Sequence, residues 1–310
     1  MTMATSGLDP AAIELLSGTL REVFADQAGQ QDPEAALHEL GWDDVVSTDP
    51  AVAIDLLFSE HGRALAASRL LDTVVLEALA PALPDPAAKR AVLYCSPRIA
   101  LTLGPSDEIG ELVAIDGAGT VRLLPTDSIT LEPVRGFDDA ARWFRAGNLP
   151  ATGEVPVGDA GGRAVAAARR ALCAEILGAC TAALELATAH TSARVQYGRP
   201  LASFQAVRHR LAESYVAIEG ARATLQLAWT DGSNSAALLS KLRAGRAQAE
   251  VMRHVVQVFG AMGLTREHDV HRYVTRTAAL DQLLGSHTDL AEEMGAALLE
   301  GTAHTPAITL

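Results

Sequence analysis

Apolar residues recur every three or four positions over the first quarter of the chain, the spacing that gives a helix one buried stripe. Ile13, Leu16, Leu20 and Phe24 predict an amphipathic helix over 9–28, with Asp9 as its N-cap and Pro10 in the first turn. A short helix over 33–41 ends near Gly41. A third starts at Asp49-Pro50, carries Ile54, Leu57, Leu65 and Leu70–Leu71, and runs to about Leu79, where Pro81, Pro84 and Pro86 stop it. The pattern then changes. Short apolar or β-branched runs at Arg90–Tyr94, Ile99–Leu103, Leu112–Ile115, Val121–Leu124 and Ile129–Val134 are separated by turn residues, as in a small sheet. Gly147, Pro150, Gly153, Pro156, Gly158 and Gly161-Gly162 read as a linker. Helical periodicity returns over 163–193, 204–229, 235–259, 268–284 and 288–300. The expected architecture is mostly α with a small central β domain: N-terminal helices (1–88), a reduced β domain (89–135), a linker (136–162) and a C-terminal four-helix bundle (163–310).

Composition agrees with a helical protein: 49% of residues are hydrophobic, only 4% are aromatic, and alanine and leucine dominate. A net charge of −13 argues against nucleic acid as a partner, because phosphate needs clustered cations. Cys95, Cys173 and Cys180 are too few and too scattered for a disulfide framework, and read as small buried apolar residues. No run of about 18 apolar residues marks a membrane span. Met1 to Pro10 carries neither the basic nor the apolar segment of a leader, so a cytoplasmic location is expected. Neither a Gly-x-Ser-x-Gly elbow nor a phosphate loop occurs. Glu267, His268 and His271 lie close in sequence, but the Glu-x-x-His pattern of bundle di-metal sites does not occur twice. No metal site is expected, and His268 and His271 read as solvated or capping residues.

Two segments carry more specific information. Arg194-Val-Gln196-Tyr-Gly198-Arg-Pro-Leu201, followed by Phe204-Gln205, resembles a signature of acyl-CoA dehydrogenases. There an Arg-x-x-Phe/Tyr-Gly lies between two bundle helices and a Gln opens the second. Gln257-Val-Phe-Gly260-Ala261-Met-Gly263-Leu-Thr-Arg-Glu267 resembles that family's Gln-x-x-Gly-Gly-x-Gly-Tyr-x-x-Glu, with Ala261 and Leu264 as departures. Ser59-Glu-His-Gly62-Arg63-Ala64 is similar to its third-helix pattern. The resemblance implies FAD. A pyrophosphate needs a fixed cation and close polar donors, which Arg194, Gln196, Gln205 and Gln257 offer, while Phe204, Gly260, Ala261 and Gly263 shape the loops.

Removal of a proton from Cα of an acyl thioester needs a carboxylate base. The family's Glu position matches Leu284 here, and the alternative position, around Ala166–Arg170, holds no carboxylate. Asp281 and Glu175 are the nearest substitutes. The family's Thr-Glu-Pro-x-x-Gly-Ser-Asp-like loop and its Ile-Thr-Asn-like strand, which wrap the isoalloxazine, are not found between Ala91 and Val134. In the family one subunit holds the ring and base while its neighbour holds the diphosphate and adenosine. The resemblance therefore implies one subunit of a heteromeric enzyme. A homologous partner carrying the catalytic Glu would complete an α2β2 assembly, with an acyl-CoA substrate, steroid-derived by analogy with such paired subunits, and an electron-transfer flavoprotein or similar acceptor. A self-sufficient homodimer using Asp281 and a non-catalytic scaffold are the other readings.

Overall fold

The computed structural model describes residues 8–25, 33–96, 98–104, 109–135, 138, 141–150, 152–265 and 268–302. Arg266 and Glu267 of the second motif lie outside them. Helices α1 (Pro10–Ala25), α2 (Pro33–Glu39), α3 (Trp42–Thr48), α4 (Pro50–Ala64) and α5 (Leu70–Leu79) open the chain. Asp9 caps α1 by accepting from the Ala12 amide at 2.7 Å, and Asp49 caps α4 by accepting from Val52 at 3.2 Å. The helix expected to run unbroken from 50 to 79 is two helices. Leu65 takes a left-handed backbone (φ 51°), and the carbonyls of Leu65 and Ala66 accept from the guanidinium of Arg276, far along the chain. Helix α3 has no counterpart in the expected pattern.

The sheet has seven strands: β1 (Arg90–Cys95), β2 (Ala100–Leu103), β3 (Glu111–Asp116), β4 (Val121–Pro125), β5 (Leu131–Pro133), β6 (Trp143–Ala146) and β7 (Glu154–Val155), in the order β5-β6-β2-β1-β3-β4-β7. β1 and β3 run parallel with Arg90 opposite Glu111, an ion pair at 2.7 Å, and the other pairs are antiparallel. β6 and β7 fall in the segment expected to be linker, where dense Gly and Pro hide two very short strands.

Helix α6 (Asp159–Ala193) follows. It begins before residue 163 and takes in Gly161 and Gly162, because its first turn lies against the β3–β4 turn at Gly119. A two-stranded hairpin, β8 (Val195–Gln196) and β9 (Arg199–Pro200), leads to α7 (Gln205–Asp231), α8 (Asn234–Phe259), α9 (Val270–Gln282) and α10 (His287–Leu299). α6 is long and apolar enough to cross a membrane by length and composition alone, yet 72% of its apolar window is buried in this fold. It is the core helix, packed by α4, α5, α7, α8 and α9. Gly62 on α4 and Gly178 on α6 set the tightest crossing: a Cβ on either would strike the backbone of the other helix, at Glu175 and Ser59 respectively. The third-helix motif thus has a packing reason, close contact of two backbones.

Candidate functional site

The two motifs meet at one end of the bundle. α6 and α8 both end there, and α7 begins there. Arg194 is the C-cap of α6, with its amide donating to His190 O and its carbonyl accepting from Leu201 at 2.8 Å. The hairpin turn is Tyr197-Gly198, both at positive φ (54° and 76°), the tight turn whose twist suits two short strands. The Tyr197 ring is 90% exposed. Phe204 is half-buried beneath it, edge-on to Tyr197 at 6.1 Å and under the Arg199 guanidinium at 4.1 Å. Phe204 is therefore engaged within the hairpin and supports it. Gln205 is the first residue of α7, and Gln257 lies one turn from the end of α8; both are exposed, as are Arg194 and Gln196.

The loop after α8 is a tight turn over Gly260–Leu264. Gly260 has φ 63° and ψ −140°, a conformation essentially restricted to glycine, and a Cβ there would meet nothing within 4 Å. Its backbone is open to a ligand or a neighbouring chain. Ala261 is exposed beside it. Gly263 differs: it is buried, and a Cβ would press on Phe259 and Val256, so it serves turn packing rather than ligand approach. His190, Phe259 and His268 form an aromatic stack behind the loop, with centroids 4.3 and 4.4 Å apart. His268 is thus a packing residue and not solvated, and its carbonyl faces His271 Nδ1 at 2.8 Å. Burial, with the neighbouring His268 and Arg194, holds His190 below its ordinary pKa.

This cluster suits part of an extended dinucleotide. Among the described residues the Arg194 guanidinium and the side-chain amides of Gln196, Gln205 and Gln257 make no hydrogen bond or ion pair. The cation and the amides that a diphosphate needs stand free beside the open backbone at Gly260.

The turn that carries Leu284 is closed. Leu284 is fully buried with φ 55°, and its carbonyl accepts from Arg169 Nε and Nη2 at 3.3 and 3.1 Å. Arg169 also reaches the Gly117 carbonyl, tying the sheet to this turn. Lys241, with no exposed surface, donates to the carbonyls of Asp281 (3.0 Å) and Gly285 (3.3 Å). Burial lowers its pKa, countered by Asp281. Two buried cations thus hold the carbonyls of the 281–285 turn. Asp281 is itself turned inward: Oδ1 accepts from the His287 amide (3.1 Å), Oδ2 lies 2.7 Å from His287 Nδ1, and Lys241 is 3.6 Å away. That is the geometry of an ion-pair partner and helix cap, not of a substrate-facing base. Glu175 is buried beside His61 (3.1 Å) and Arg276 (3.4 Å). Burial pushes its carboxyl up, but the neighbouring His61 and Arg276 outweigh it and hold it below its usual range. Arg276 also pairs with Asp138.

The cavity between the sheet, α5, α6 and α9, lined by Tyr94, Trp143, Glu175, Arg276, Leu280 and Leu283, has a volume of about 20 Å³. That is room for one water. An isoalloxazine ring does not fit there. Arg169, Lys241 and Arg276 are the influential side chains that pattern alone does not single out, since a cation in a helical sequence ordinarily marks the solvent face.

The family model for the acyl-CoA dehydrogenase C-terminal domain matches residues 162–298. The acyl-CoA dehydrogenase IpdE2 of Mycobacterium tuberculosis is 33% identical over 245 residues, which span 77% of this chain and 75% of that protein. Among solved structures, the ChsE4-ChsE5 complex from Mycobacterium tuberculosis superposes with a TM-score of 0.71 at 20% identity, over 97% of this chain and 100% of the other. A steroid ACAD named Tcur3481-Tcur3483 gives 0.70 at 23%, over 94% and 99%. At these identities the two structures establish the fold.

Proposed function

This chain belongs to the acyl-CoA dehydrogenase family, and we propose that it is the dinucleotide-clamp subunit of a heteromeric FAD-dependent enzyme of that family. A homologous partner subunit would supply the catalytic Glu and the ring pocket, in an α2β2 assembly. The observation that carries this reading is the contrast between the two ends of the site. Arg194, Gln196, Gln205 and Gln257 form an exposed cluster beside the open backbone of Gly260, and their side chains make no hydrogen bond or ion pair among the described residues. Leu284, which the sequence motif matches to the family's catalytic Glu, is buried in a turn held by Arg169 and Lys241.

FAD, when bound, would supply the hydride acceptor of an α,β-dehydrogenation. The residues of this chain act at its other end. Arg194 neutralises the diphosphate and is held in place by the helix end and the hairpin it joins. Gln205 and Gln257 donate from two helix ends that face one another. Gly260 lets the backbone come close. The substrate proposed is an acyl-CoA with a bulky, steroid-like acyl group, supported by the name of one matched structure, a steroid ACAD; an electron-transfer flavoprotein or similar carrier is the proposed acceptor. Co-expression with candidate homologous subunits, followed by flavin absorbance and native mass, tests the proposal. Flavin in a mixed tetramer is expected. A chain that is yellow and turns over acyl-CoA as a homodimer would overturn it.

A further inference from the structure

A second constellation lies on the outer face of the bundle, between α7 and α8, and the dehydrogenase reading does not use it. Glu250 and His254 are four residues apart on α8, so they share one face. Glu213 reaches them from α7. One ligand atom from each of the three lies within 4.8 Å of the others. His254 is only 4% exposed. Its Nδ1 lies 3.1 Å from Ser214 Oγ, which is fully buried and already donates its own proton to the Arg210 carbonyl at 2.8 Å. Toward the ring that hydroxyl can only accept, so Nδ1 carries the proton. Nε2 is then aimed at the groove, 3.7 Å from Glu213 Oε2, and has no hydrogen-bond partner among the described residues. A buried imidazole with a fixed tautomer, facing two carboxylates, is the arrangement that tunes a histidine as a metal ligand.

We propose that Glu213, Glu250 and His254 form a divalent transition-metal site of the zinc or manganese class that staples α7 to α8. Two carboxylates and one imidazole suit such a cation, and the open groove leaves its remaining positions to water. Arg243, Arg246 and His209 line the same groove, but none of them forms an ion pair with either glutamate among the described residues. The partly exposed Glu213 and Glu250 side chains can rotate to bring their oxygens to bonding distance. The staple has a use that the fold makes plain. His254 lies one turn before Gln257, and Glu213 lies two turns after Gln205. A cation bridging them would fix the spacing of the two helix ends that carry those glutamines. The competing arrangement is a protonated His254 that pairs with Glu213 and needs no metal.

The test uses the protein as purified, alone or with its partner, after chelator treatment and dialysis. Zn2+ and Mn2+ binding is measured by titration calorimetry, Co2+ binding by visible absorption, and the unfolding midpoint is followed with each. The expected result is one ion per chain, a midpoint that rises with free metal, and ligand-field bands with Co2+. Glu213→Gln with Glu250→Gln changes only half-buried or exposed side chains, so the fold should survive. Affinity should fall at least about tenfold while the metal-free unfolding midpoint stays put. His254→Gln should also abolish the Co2+ bands. No stoichiometric uptake, or equal affinity in the double variant, would overturn the proposal. An imidazolium at His254 seen by NMR at neutral pH in metal-treated protein would assign the cluster to the ion pair. These readouts do not involve flavin, so their failure leaves the dehydrogenase reading intact.

Discussion

Replacing Leu284 with the family's glutamate would not make this chain an enzyme on its own. The side chain at 284 is buried in a turn whose carbonyls are held by Arg169 and Lys241, and the nearby cavity admits only a water. Leu284→Glu is expected to lower stability by on the order of 1–3 kcal/mol, since a carboxyl would enter an apolar slot. Acyl-CoA-dependent reduction of an artificial acceptor by the isolated variant should stay at background; turnover would show that a ring pocket exists after all. Arg194 is the reverse case. Its guanidinium is exposed and unpaired among the described residues, so Arg194→Ala should leave the unfolding midpoint nearly unchanged. In the assembled complex it should weaken FAD by roughly 10- to 100-fold, the worth of a lost charge-assisted hydrogen bond of about 1.5–3 kcal/mol. Unchanged flavin retention after gel filtration would remove Arg194 from the clamp and favour the scaffold reading.

At the level of elements, two devices explain what periodicity could and could not show. The amphipathic stripes of α1, α7 and α8 are legible because each has a buried face and a marked cap or turn, and the runs of β1 to β4 because they are short apolar stretches between turn residues, buried on both faces in β1 and β3. The break between α4 and α5 is not, because its cause is Arg276 on α9, which binds the carbonyls of Leu65 and Ala66 from a distant part of the chain. β6 and β7 are hidden for a related reason: two to four residues carry no period, and their pairing with β2, β4 and β5 is non-local. The gathering of Arg194, Gln196, Gln205 and Gln257 at one end of the bundle was legible as motif, since these residues sit at fixed offsets from helix ends. The closure of the opposite site was not, because buried cations imitate surface ones. Arg276→Leu should cost about 3–5 kcal/mol in urea unfolding, since it strands Glu175 and Asp138 without their shared cation. Gly178→Ala forces α4 and α6 apart and should cost on the order of 1–3 kcal/mol. Glu175 also gives stability a pH dependence. Its folded pKa is depressed, so the ionised form is favoured in the fold; its contribution is present above about pH 4.5 and is lost as pH falls below that. Glu175→Gln should flatten the acid limb of the stability curve, and an unaltered limb would assign that limb to other carboxylates.

Over the whole molecule, the features divide by side. The sheet, α5 and α9 meet around a filled interior, whereas the ends of α6, α7 and α8 present an exposed tyrosine, a free guanidinium, three amides and an open glycine backbone. Evolution of a self-contained homodimer would keep both surfaces, since each subunit would give a ring pocket to one flavin and a clamp to the other. On the proposed reading, a chain with ion pairs around the first region and an exposed cluster at the second would serve one site of a two-fold pair. The proposal predicts one FAD per heterodimer, and hence two per α2β2 tetramer. Flavin content against native mass measures this directly. The chain expressed alone should be colourless or insoluble, because its clamp has no partner surface to close on, and the mixed assembly should hold half a flavin per chain. A ratio of one flavin per chain would place a ring pocket in this subunit and return the enzyme to the symmetric arrangement.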